Sequence, residues 1–229
     1  MTNALQCKPP GGLPTGAATD ATRSVLPLPV QTTRATVLFA DMRGYTGLAE
    51  QLPPAQLVPL LEEFFGILAS ATEAHGGEVF HMAGDGMMAG FGGRDAGQPD
   101  AGQALAAGRA MLQCFSLVAT RWRRECSIST GIGVGLHLGE VALGLLGPPG
   151  KRAVTLVGDT ANVAARLCGR ARNGEVLYSS TVAAALDTGA NLGPAIGRAP
   201  FLLLPQFALR GRNGLLDIWC VPAAKRLML

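Results

Sequence analysis

GGEVFHMAGDGMMAGF, residues 76–91, decides the fold. Glu78–Met82 and Met87–Phe91 read as two short strands, and Ala83-Gly84-Asp85-Gly86 between them has the composition of a hairpin turn. Gly76-Gly77 in front of the hairpin stops whatever precedes it. That is a helix of about 55–74, because Leu57, Leu60, Leu61, Phe64, Phe65 and Leu68 recur at helical spacing. Pro59 is tolerated if it lies in the first turn, so the helix is expected to begin near Ala55. Ahead of the helix, Ala35-Thr36-Val37-Leu38-Phe39-Ala40 reads as a buried strand ending at Asp41.

Beyond the hairpin, residues 92–98 read as loop. A second helix of about 99–124 follows, with Leu105, Leu112, Phe115, Val118 and Trp122 on one face. Ile128–His137 and Val141–Leu146 are expected to form another hairpin, turning at Gly139-Glu140. Val154–Val157 reads as a strand, with Asp159 placed to cap a helix of about 160–170. A strand at 176–178, a short helix at 181–186, an irregular stretch at 187–200 and strands near 202–209 and 216–221 complete the order. The first part, βαββαβ, is a ferredoxin-like α+β core with helices packed against an antiparallel-rich sheet, extended by C-terminal strands. Residues 1–33, rich in Pro, Gly, Thr and Ala, read as a flexible leader, 34–222 as the folded domain and 223–229 as a tail.

Composition narrows the partners. The chain has 229 residues, 48% hydrophobic but only 5% aromatic, so its core must be mostly Ala, Leu and Val. A net charge of +3 without a basic run gives no case for nucleic acid. No stretch approaches the about 18 consecutive apolar residues of a membrane span, and no signal-peptide pattern opens the chain. The five cysteines, Cys7, Cys114, Cys126, Cys168 and Cys220, are odd in number and widely spaced, as expected of free thiols in a reducing cytoplasm.

Three segments can carry chemistry. In Phe39–Thr46, a strand-end Asp41 precedes a Gly-containing turn, so a carboxylate for a hard cation lies beside backbone N–H groups able to cradle phosphate. In Gly84-Asp85-Gly86, a carboxylate sits at the hairpin tip. Taken singly, each aspartate reads first as an ordinary turn residue. In a ferredoxin-like core, however, the first strand pairs beside the hairpin, and two adjacent carboxylates repel unless a cation lies between them. In the third segment, Val157–Arg166, Asn162 and Arg166 are four apart and share one helix face. An Arg can neutralise charge on a phosphoryl group and an Asn can orient a sugar oxygen; a solvated polar face is the plain alternative.

With these segments in hand, the chain resembles the class III adenylate/guanylate cyclase catalytic domain. FADMRGYT at 39–46, GGEVFHMAGDGMMAGF at 76–91, GVGLHLGEV at 133–141, TLVGDTANVAARL at 155–167 and FALRGRNGLLDIW at 207–219 carry the resemblance, in the family's order and spacing. The related diguanylate cyclases share the core, but their signature is missing; Gly92-Gly93-Arg94-Asp95 resembles it only superficially.

The resemblance implies that Asp41, Asp85 and the carbonyl of Met42 hold two Mg²⁺ or Mn²⁺ ions. It implies that Gly44, Tyr45 and Thr46 line the triphosphate, that Asn162 positions the ribose, and that Arg166 stabilises the pentavalent phosphorus. Arg210 stands where the family often has a phosphate-contacting Lys. The base-selecting positions are His81 and Thr155. Adenylate cyclases usually carry Lys at the first and guanylate cyclases commonly Glu, so His81 departs from both. Because the family's sites form between two chains and this chain carries both halves, a head-to-tail homodimer is expected. ATP is the favoured substrate and cyclic AMP the favoured product. GTP or a pyrimidine triphosphate is the alternative, and a non-catalytic nucleotide-binding homologue a further one.

Overall fold

A computed structural model of the chain describes residues 30–92, 100–188, 202–208 and 215–222. Strand β1 (Gln31–Arg43) is followed by helices α1 (Tyr45–Gln51) and α2 (Pro54–Ala74), strands β2 (Glu78–Ala83) and β3 (Gly86–Phe91), and helix α3 (Ala101–Cys126). Next come β4 (Gly131–Leu146), β5 (Ala153–Val157), α4 (Asp159–Arg170), β6 (Val176–Ser179), α5 (Ser180–Thr188), β7 (Leu202–Ala208) and β8 (Leu215–Val221). The strands form one sheet in the order β2-β3-β1-β4-β6-β8-β7, with β5 paired to β4 off that path. β1, β2, β3 and β4 pair antiparallel, while β4 and β6 pair parallel. This is the expected α+β arrangement. The parts of the expected leader and tail at 1–29 and 223–229 lie outside the described residues, as does most of the stretch at 187–200.

Alternation along β1 divides the core between two faces. Leu38, Ala40 and Met42 enter the main core with Phe64, Phe91, Phe115 and Trp122, where α2 and α3 cover the sheet. Ala35 and Val37, with Phe39 beside them, enter a second cluster with Met88, Val141, Leu156 and Ala164, where α4 covers the other face. A strand buried on both faces reads as an unbroken apolar run, which is why 35–40 shows no polar alternation.

Three local expectations are corrected. The segment 131–146 is one strand of 16 residues, not a hairpin turning at Gly139-Glu140. Its glycines serve the approach of α4 instead. A Cβ on Gly135 would overlap the amide nitrogen of Cys168 and the carbonyl oxygen of Ala164, and one on Gly139 would stand 2.5 Å from Thr160 Oγ1. Second, Gly158 (φ 149°) holds the N-cap place of α4 and Asp159 is the first helical residue, an acidic group facing the positive end of the helix dipole. Third, α2 begins at Pro54, so Pro59 falls in its second turn. Ala55 and Pro59 are both exposed, so water can take the carbonyl that Pro59 cannot serve. The short helix α1 was not anticipated. It starts after Gly44, whose φ of 80° is the left-handed backbone that favours glycine. Among the described residues, no helix is long and apolar enough to cross a membrane.

Candidate active site

The site is built where β1 passes the β2–β3 hairpin. Asp41 pairs with Gly86 on one side and Gly133 on the other. The Met42 amide donates to the Asp85 carbonyl at 2.9 Å, pinning the hairpin tip against β1. Asp41 Oδ1 faces the hairpin: a Cβ on Gly86 would stand 3.5 Å from it. The Asp41 carboxyl is held above the usual carboxylate range, first by burial and then by the nearby charge of Asp85, with Arg43 opposing both. A carboxylate beside a carboxylate disfavours the charged form of its neighbour, and a cation placed between them would relieve it.

Arg43 shares Asp41's face because β1 continues past Asp41 to Arg43 and the two are two residues apart on it. Its Nη1 donates to Asp41 Oδ2 at 2.8 Å and its Nη2 to the carbonyl oxygen of Cys168 at 2.6 Å. The edge of the guanidinium abuts Gly133, where a Cβ would stand 2.5 Å from Nη2 and 2.6 Å from Nε.

A cleft of about 340 Å³ opens here, lined by Asp41 and His81 from the strands, Asp85 from the hairpin turn, and Ala165, Cys168 and Gly169 from α4. His81 reaches it through a β-bulge. Ala83, Met82 and His81 pair regularly with Gly86, Met87 and Met88, but Val79 pairs with Ala89, leaving Phe80 as the extra residue. Phe80 packs toward Leu156 over Gly90, where a Cβ would meet both side chains. His81, beside it, is exposed at the cleft. The bulge thus turns two successive side chains to one face.

The other expected site residues lie apart from this cleft. Asn162 is exposed and Arg166 half-buried on α4, whose buried face is Thr160, Ala161, Val163, Ala164, Leu167 and Cys168. Neither lines the cleft of its own chain, and neither does Thr155, half-buried on β5 opposite Gly144. Gly44 and Thr46 are exposed, and Tyr45 packs partly against the main core. Arg210 lies outside the described residues. His75 and His137 are both structural. His75 closes α2 and contacts Gln103, while His137 is buried within β4, not at a strand end, beside Ser179.

The donor set fits a hard divalent cation. Asp41 and Asp85 offer carboxylate oxygens, and among the described residues no group of three or more His, Cys, Asp or Glu is assembled. A cation held by two carboxylates must complete its shell with water, backbone carbonyls or phosphate oxygens, which is the manner of Mg²⁺ in nucleotide enzymes.

Comparison with known proteins identifies the family. The family described as "Adenylate and Guanylate cyclase catalytic domain" matches residues 29–197, and the chain belongs to that family. It is similar to an adenylate cyclase of Anabaena cylindrica, 33% identical over 146 residues, covering 60% of this chain and 27% of that protein. It is also similar to adenylate cyclase 1 of Rhizobium meliloti, 26% identical over 83% of this chain and 28% of that protein. The chain therefore spans little more than a quarter of these relatives. Among solved structures it resembles the adenylyl cyclase CyaB from P. aeruginosa, with a TM-score of 0.75 and 26% identity. The guanylyl cyclase Cya2 is as similar, with a TM-score of 0.73 and 26% identity; both alignments cover 87% of this chain and 98% of the other.

Proposed function

We propose that this nucleotidyl cyclase domain is an adenylate cyclase, converting ATP to 3′,5′-cyclic AMP and pyrophosphate at two equivalent sites of a homodimer. The ribose 3′-oxygen attacks the α-phosphorus, its proton passes to solvent water, and the bond from the α-phosphorus to the bridging oxygen breaks to release pyrophosphate. Asp41 and Asp85, with the Met42 carbonyl, hold Mg²⁺ or Mn²⁺. Bound there, the ions supply Lewis acidity that lowers the pKa of the 3′-hydroxyl and offsets phosphate charge. Gly44, Tyr45 and Thr46 line the triphosphate and Arg210 contacts its terminal phosphates. Asn162 orients the ribose, Arg166 meets the charge developing on phosphorus, and His81 with Thr155 reads the base.

The observation that carries this reading is the division of the site. Asp41 and Asp85 meet in one cleft, while Asn162 and Arg166 stand on a helix face outside it. The two halves form one site only when a second copy supplies the missing half. A reducing, ATP-containing cytoplasm suits the free thiols of Cys114, Cys168 and Cys220.

His81 favours a second reading, in which the base differs. A neutral imidazole has one donor and one acceptor, so it can pair with adenine's amino group or with a carbonyl of guanine or a pyrimidine. Incubating the protein with Mn²⁺ and ATP, GTP, CTP or UTP in turn separates the readings. Cyclic AMP as the main product is expected; another cyclic nucleotide without cyclic AMP overturns the adenylate assignment.

A further inference from the structure

Arg43 joins two things that the proposed reaction uses separately. One end of its guanidinium holds Asp41 Oδ2, and the other holds the carbonyl of Cys168 in the last turn of α4. That carbonyl also accepts from the Ala171 amide at 3.0 Å, and a cation at a helix C-terminus is itself favourable. The guanidinium has little room to move. Its Nη2–Nε edge abuts Gly133, the carbonyl oxygen of Ala171 would lie 2.9 Å from a Cβ there, and the Arg43 side chain is only 23% exposed. Thr130 Oγ1 fixes the Arg43 backbone by donating to its carbonyl at 2.8 Å. With Oδ2 occupied, Asp41 Oδ1 is left facing the hairpin that carries Asp85.

We infer that Arg43 is a positioning residue that orients the Asp41 carboxylate and simultaneously anchors the C-terminal end of α4. It thereby couples the metal-binding half of one site to the Asn162/Arg166 half of the other. The inference rests on Asp41 being a metal ligand and on the homodimer. A role as a mere counter-ion predicts the opposite metal response. A cation beside Asp41 repels a metal, so removing it tightens metal binding, whereas removing an orienting group weakens it. Lysine separates the two roles again, because a single ammonium on a flexible stem cannot reproduce a planar fork spanning both acceptors.

The first test is Mn²⁺ binding to the full chain in the presence of 3′-deoxy-ATP, which cannot cyclise, read by the electron paramagnetic resonance signal of the free ion. Arg43→Met and Arg43→Lys are each expected to weaken binding about tenfold, the scale for groups that orient a ligand. Equal or tighter binding in Arg43→Met, or wild-type binding in Arg43→Lys, overturns the inference. If Arg43→Met does not fold, Arg43→Lys decides. Asp85→Ala is the control. If it binds Mn²⁺ as the wild type does, the metal assignment itself has failed, and the inference with it.

The second test uses mixed dimers of Asp85→Ala and Arg166→Ala chains, which hold one complete site. Adding Arg43→Met to the Asp85→Ala chain alters only the chain that lends α4 to that site. It is expected to lower kcat about tenfold with an unchanged Mn²⁺ dependence. An unchanged kcat overturns the coupling.

Discussion

Gly135 of β4 and Cys168 of α4 approach so closely that no side chain fits between them: a Cβ on Gly135 would overlap the Cys168 amide nitrogen. The obstacle is backbone, which cannot rotate aside. Gly135→Ala is therefore expected to push α4 off the sheet, destabilising the fold by roughly 3 kcal/mol or more. Gly66, exposed in the interior of α2 with nothing within 4 Å of its would-be Cβ, is the contrast. Gly66→Ala is expected to stabilise by about 0.5–1 kcal/mol. Urea unfolding of the two variants checks both signs.

Asp85→Ala removes one of the two cleft carboxylates without disturbing the core, since Asp85 sits at a hairpin tip and the bond to Met42 uses its backbone carbonyl. Turnover is expected to disappear while circular dichroism and the thermal midpoint stay near wild type. Undiminished turnover would sink the two-metal reading.

Neither Asp85→Ala nor Arg166→Ala is expected to turn over alone. Mixed after unfolding and refolding together, they should recover about a quarter of wild-type activity, because half the dimers are mixed and each holds one intact site. Recovery near zero would mean that the two halves belong to one chain.

The Asp41 carboxyl titrates above its ordinary range because of burial and Asp85, against Arg43. The folded, metal-free protein therefore binds this proton more tightly than the unfolded chain does. Its contribution to stability is greatest below the ordinary aspartate value and declines as pH rises through the raised one. With chelator present, Asp41→Asn is expected to lose that decline and to be at least as stable as wild type at neutral pH, since an amide oxygen still accepts from Arg43. Thermal midpoints against pH decide it; a less stable Asp41→Asn at neutral pH would contradict the shift.

Cys168 lines the cleft yet its thiol is pushed up to about 12, mainly by burial. It donates to the Gly133 carbonyl at 3.3 Å. Iodoacetamide at pH 8 is expected to label the exposed Cys114 and spare Cys168 in the folded protein. Mass spectrometry of the labelled peptides reads the outcome.

How much of this is legible in the sequence depends on which force does the positioning. The βαββαβ order can be read because Leu57–Leu68 and the 78–91 hairpin carry clear periods. The meeting of Asp41 with the Asp85 hairpin then follows from topology alone. The continuity of β4 is not legible. Gly139 has the look of a turn residue, and its reason, the closeness of Thr160, lies 21 positions further along the chain. Arg43 was not legible, because the strand was expected to end at Asp41 and only its continuation to Arg43 sets the two side chains on one face. What it reaches, the Cys168 carbonyl 125 residues away, is a long-range contact that no local pattern announces. The bulge at Phe80 hides for the same reason, because it exists only relative to the partner strand.

That bulge has an evolutionary consequence. Phe80 carries the packing against Leu156, and His81 beside it carries none of the core. Where residue 81 reads the base as proposed, a change there would alter what the cleft reads while leaving the foldedness of the hairpin to its neighbour. On that reading, substrate preference would be free to change by substitution at position 81 at nearly constant stability, because the core contact belongs to Phe80.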